Sequence, residues 1–197
     1  MNAFRPVPGG WECSIGEVER SLFLKAISEV RTLLDPPILP FEITTMLGED
    51  DHEESGADIH LPNASLDRLL PPGSVDEETA QTMRDLTDSQ LRTQKYERLD
   101  RLYQLLSDQS GSVLVVKSGE EWDWLGGIND VRLAISGKLE PEDLWVDSQT
   151  NGETSAQLKP KTGNEQFEKV LVISFYKWLS GWQDSLLQAI DSWPQPS

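Results

Sequence analysis

Apolar residues recur at helical spacing through most of this 197-residue chain, and they alternate or run together as β structure in only two places. Residues 3–7 and 11–14, joined through Pro8-Gly9-Gly10, read as a short β-hairpin or extended arm, with the prolines confining the first strand to an edge. Ser14, with Glu17 three residues later, offers a capping box. Ile15, Val18, Leu22, Ala26, Val30 and Leu33 then predict a first helix that stops at Asp35-Pro36-Pro37. Residues 63–70 predict a short helix ended by Pro71-Pro72-Gly73, and residues 76–86 another that opens on an acid-rich turn. Thr87 with Gln90 offers a second capping box for a longer helix ending near Leu106, with Leu91, Leu99, Leu102 and Leu106 as its stripe.

Residues 112–117 (SVLVVK) form a β-branched run between Gly111 and Gly119 and read as one strand. The N-terminal hairpin is its natural partner, which predicts a sheet of about three strands beside the helices. Ser118 with Glu121 makes a third capping box, opening a helix whose apolar face is read as Trp122, Leu125, Ile128, Val131, Ile135 and Leu139. The last helix, residues 165–193, carries Leu171, Phe175, Trp178, Trp182, Leu186, Ala189 and Trp193 on one stripe, flanked by Leu179 and Ile190. Three tryptophans on one stripe read as core. The predicted fold class is α+β: a mainly α-helical bundle of about five to six helices with a small antiparallel sheet of about three strands.

The length fits one domain spanning residues 1–197. Two stretches fall outside the pattern. Residues 48–58 (GEDDHEESGAD) are expected to be a mobile acidic insertion, and residues 140–164 a long polar loop. Between Thr32 and Asp67 there are nine acids and no lysine or arginine. That stretch holds more than half of the formal net charge of −17, a balance that repels phosphate backbones and argues against direct nucleic-acid binding. Such acidity serves either solubility or a basic protein partner. No apolar run approaches the ~18 residues of a spanning helix, and the N-terminus lacks the order of a secretory signal, so no membrane association and a cytoplasmic location are expected. Cys13 is the single cysteine, which excludes an intramolecular disulfide and leaves it a redox candidate only through intermolecular or small-thiol chemistry.

Candidate chemistry is concentrated in one helix. Arg132 projects from the middle of the apolar face as read above, and a guanidinium taken out of water there needs a partner. Asp130 points away from it by about 160° and cannot pair with it within the helix. A carboxylate or a set of helix C-terminal carbonyls on another element suits Arg132, with Asn129 beside it to orient that partner. A structural bridge is the leading reading, with an anion site or a partner contact as alternatives. Lys95 lies in the middle of its own apolar stripe, where snorkelling is the default, yet convergence with Arg132 would make an anion or metabolite site or an uncharacterised enzyme. Ile173, Tyr176 and Leu187 fall on another face of the last helix and are candidates for a homodimer contact. No nucleophile elbow, phosphate loop or dinucleotide fingerprint is present. His52 and His60 match no metal-ligand spacing, so neither a metal nor a cofactor is expected, nor an enzyme.

Three segments share a resemblance. Trp122 with residues 125–139 (LGGINDVRLAISGKL), Leu86-Thr87 with Leu91 and Lys95, and Tyr176-x-Trp178-Leu179-x-x-x-Gln183-x-x-Leu186 together resemble the actinobacterial oxidative stress regulator family, formerly a domain of unknown function. The order and spacing of these segments carry the likeness across nearly all of the chain outside the acidic and polar loops. The resemblance implies a cytoplasmic regulator working through a protein partner, such as a sigma factor or another basic transcription component. With Cys13 alone, a switch by internal disulfide does not carry over.

Overall fold

A computed structural model describes residues 3–34, 61, 63–71, 77–140, 143 and 163–192. The expected acidic insertion at 48–58, both histidines, most of the 140–164 loop and Trp193 lie outside the described residues. Strands β1 (Arg5–Val7) and β2 (Gly10–Ser14) form a hairpin because Pro8 fixes one turn residue and Gly9 supplies the positive φ, 85°, that the next requires. Strand β3 (Val113–Lys117) pairs antiparallel with β2, giving the order β1-β2-β3 with Arg5 opposite Glu12 and Cys13 opposite Leu114.

Both edges of this sheet are largely capped. Ile15 N–H donates to Ser112 O and Ser118 N–H to Gly9 O, so alternation turns the peptides of Val113, Val115 and Lys117 outward. The Gln109 side-chain amide bonds both groups of Val115, at 2.7 and 2.9 Å, and the Lys117 N–H donates to Glu120 at 3.2 Å. On the other edge Pro6 and Pro8 have no N–H, and Phe4 N–H donates to Ser185 Oγ at 3.3 Å. Proline and side-chain capping are the usual means of blunting an edge strand.

The described residues form five helices, α1 (Glu17–Leu34), α2 (Asn63–Leu69), α3 (Glu77–Asp108), α4 (Glu121–Ser136) and α5 (Gly163–Asp191), of which α4 and α5 pack against the sheet. The mainly helical α+β class is therefore observed. Residues 77–108 form one helix where two were expected, since neither Gly nor Pro interrupts them and Thr87 lies at no terminus. The Ser118–Glu121 capping box does not form either: Glu120 is the N-cap residue without a side-chain cap bond, and Glu121 Oε2 accepts from Gly119 N–H at 2.5 Å.

Three helix faces are rotated from their sequence reading. In α1 the buried residues are Phe23, Ala26, Ile27, Val30 and Leu34, while Val18 is 71% exposed, because the larger Phe23 and Ile27 side chains decide which side faces inward. In α5 Val172 and Leu179 are inside and Leu171 is exposed. In α4 Trp124 is fully buried and Trp122 is 69% exposed.

The core closes on Trp182. Its ring lies 5.3 Å from Phe4 of the N-terminal arm, 5.5 Å from Phe23 of α1, 6.3 Å from Trp124 of α4 and 4.8 Å from Trp178, the last pair stacked. Edge-to-face and offset arrangements of this kind contribute about 0.5–1.5 kcal/mol each beyond area burial.

Candidate functional site

Helix α4 runs between α3 and α5, and each flank carries one charged residue of the Asn129–Arg132 stretch. At about 100° per residue, the buried arc is centred on Trp124, Ile128, Val131 and Ile135 and extends through Gly127 and Ala134. Arg132 therefore lies toward one edge of the face and Asp130 toward the other. The sequence reading put Arg132 at the centre because it counted Trp122 as buried and gave no weight to the small residues Gly127 and Ala134.

On the α3 flank Asp130 is 1% exposed and is bonded by two cations. Lys95 Nζ donates to Asp130 Oδ1, and Arg98 Nη1 donates to Oδ2 at 2.9 Å. Lys95 does not snorkel. Its position among Leu99, Leu102 and Leu106 points it into the α3–α4 interface, where the carboxylate answers it. Gly127 leaves room for Leu102 in this interface: an added Cβ would meet Leu102 Cδ2 at 2.5 Å, so a larger residue forces that fully buried side chain to repack. Arg101 adds a more exposed bridge to Asp123 at 2.6 Å.

On the α5 flank the partners are neutral. Arg132 Nη1 donates to Gln183 Oε1, Nη2 reaches Tyr176 Oη at 3.4 Å, and the guanidinium lies over the Tyr176 ring at 5.2 Å. Gln183 in turn donates to Leu125 O at 3.3 Å, so one glutamine links residues about two turns apart on α4. Among the described residues no carboxylate pairs with Arg132, and its buried Nε has no hydrogen-bond partner. The expected carboxylate or carbonyl set is thus replaced by an amide and a phenol. Asn129 is half-buried beside this flank.

Lys95 and Arg132 do not converge. They face opposite flanks of α4, and Lys95 is engaged by Asp130. The proposed homodimer face is divided as well: Tyr176 is held by Arg132, Ile173 packs against the core, and only Leu187 is exposed.

Cys13 lies elsewhere, in the middle strand and 4% exposed, with Trp182 Nε1–H donating to its Sγ at 3.2 Å. Burial pushes its thiol from the ordinary 9.0 up to about 12, against smaller lowering effects of the Trp182 bond and the Arg20 charge. A thiol so placed is protonated and sheltered, the opposite of the electropositive, accessible setting that makes cysteines reactive. Among the described residues no three His, Cys, Asp or Glu side chains gather as a metal site.

The described segments that hold this arrangement share one family assignment. A family model described as a domain of unknown function, DUF2017, matches residues 1–190. The chain belongs to the DUF2017 family. No curated protein and no solved structure matches it significantly. Within this DUF2017 chain, Arg98 and Gln183 are the interacting residues that side-chain periodicity did not single out. A signal for Arg98 existed: it follows Lys95 by three residues, on the same side of α3. Gln183 follows Tyr176 by two turns of α5, which puts both on the flank that meets Arg132.

Proposed function

We propose that this chain is a cytoplasmic regulatory module that acts by binding a protein partner, within transcription control linked to oxidative stress. The observation that carries the reading is the division of labour along α4. Asp130 and Arg132 are engaged inside the fold, while Trp122, at the head of the same stretch, is 69% exposed. An exposed tryptophan offers a large apolar surface with a polar N–H, the composition of interface hot spots. The resemblance to actinobacterial oxidative stress regulators supplies the process. The net charge of −17 favours a basic partner, such as a sigma factor or another basic transcription component, over nucleic acid.

Control by Cys13 oxidation does not fit this chain, since its thiol is buried and held protonated. The native protein is expected to resist a thiol reagent at about pH 8 and to react fully once unfolded. Reaction of the native thiol at the rate of a free cysteine would restore a redox role. The partner reading is tested by affinity capture with the full chain at low salt. A basic transcription protein, released as salt is raised, is the expected result. Capture of no protein, together with thermal stabilisation by a small anion, would favour a metabolite-binding role instead.

A further inference from the structure

Two exposed apolar side chains occupy one end of the α4–α5 pair. The helices are antiparallel, with Gln183 bonded to Leu125 O and both Gln183 and Tyr176 meeting Arg132. Trp124 against Trp182 keeps the same register. One turn further toward the start of α4, Trp122 comes level with residues 186–187. Trp122 shares the α4 flank of Leu125, Asn129 and Arg132, and Leu187 shares the α5 flank of Tyr176 and Gln183, so both lie along the same rim. Leu187 is 39% exposed.

The rim is acidic. Neither Ser118 to Val131 nor Trp178 to Asp191 contains a lysine or arginine, whereas Glu121 and the exposed Asp184 and Asp191 fall within them. Glu121 is held in place by the Gly119 N–H. Strand addition is an unfavourable way for a partner to dock, because Gln109, Glu120, Ser185 and the two prolines occupy or remove most of the outward backbone groups of the sheet. Recognition then falls to side chains on a helical surface.

We infer that the Trp122–Leu187 rim is the docking surface of the interaction module proposed above, and that its occupant is a cationic amphipathic helix. The apolar side of that helix covers Trp122 and Leu187. Its lysines or arginines face Glu121, Asp184 and Asp191, with a cation available to the Trp122 ring.

Titration calorimetry with the full chain tests this, using a synthetic leucine–lysine amphipathic helix and a leucine–glutamate helix of the same length as probes. Because a chain this acidic attracts any cationic peptide, the deciding variant is charge-neutral. Trp122→Ala is expected to weaken binding of the lysine helix by about tenfold or more. Leu187→Ser should weaken it in the same direction, and Val18→Ala, at a comparably exposed valine on α1, should leave it unchanged. Circular dichroism of each variant confirms that the helices persist. Equal binding by wild type and Trp122→Ala, or equal binding of both probes, overturns the assignment of this rim. If low-salt capture still retrieves a protein through Trp122→Ala, the rim is wrong while the partner reading stands. Should the wild-type chain capture nothing, the partner reading itself fails.

Discussion

Asp130 and Arg132 stand two residues apart on one helix, and the structure treats their charges in opposite ways. Asp130 is buried with two cations around it, so its charge is answered by charge. Arg132 is half-buried against an amide, a phenol and an aromatic ring. The difference follows from the side chains themselves. A carboxylate is compact and sits wholly inside the α3–α4 contact that Gly127 permits, where only full ionic pairing offsets its desolvation. A guanidinium is planar and weakly hydrated, and it is stabilised by stacking and by neutral acceptors while keeping an edge near water. One flank is therefore an ionic lock and the other an amphipathic clasp.

That contrast is open to measurement. Asp130→Ala leaves Lys95 buried without a counter-charge, and urea denaturation should show a loss of about 3–5 kcal/mol. A loss as small as that of a surface substitution would mean that Lys95 escapes to water and the lock is illusory. Gly127→Val drives a branched side chain into Leu102, with an expected cost of about 1–3 kcal/mol from overpacking. Combining it with Asp130→Ala should cost less than the sum, since both act on the same contact. Arg132→Met removes a cation paired with no carboxylate among the described residues, and keeps much of the stem. Its expected cost is about 1 kcal/mol, from the Gln183 and Tyr176 contacts. If Arg132→Met destabilised as much as Asp130→Ala, the two flanks would be equivalent after all. Trp122→Ala should change stability by less than about 0.5 kcal/mol, because the ring is mostly in solvent.

Local chemistry made much of the fold legible in the sequence. The hairpin is announced by Pro8-Gly9, β3 by its valine run between glycines, and α5 by its aromatic stripe. What failed was the rotation of helix faces. Periodicity treats every apolar residue alike, so Trp122 and Val18 were read inward, while Gly127 and Ala134, which mark a close helix contact, carried no hydrophobic weight. Lys95 and Arg132 stood out because a cation among leucines is locally anomalous. Asp130 stands out beside Arg132, but its pairing with Lys95 is not legible, because the two lie 35 residues apart, and Gln183 lies 51 residues from Arg132. In so acidic a chain nothing ties Asp130 to Lys95 until α3 is placed against α4.

The bond between Phe4 and Ser185 joins positions 181 residues apart, and the same Trp182 that meets Phe4 also touches α1 and α4. During synthesis the N-terminal strand therefore emerges long before the helix that holds it. Until α5 has left the ribosome, Phe4 lacks Trp182 to pack on and its backbone lacks the Ser185 hydroxyl. Long-range closures of this kind are slow and leave strand edges open to other chains. Pro6 and Pro8 lack the donors that an intruding strand would use, and they do so from the moment they are translated. The prolines thus guard the strand during the interval when its tertiary partner does not yet exist.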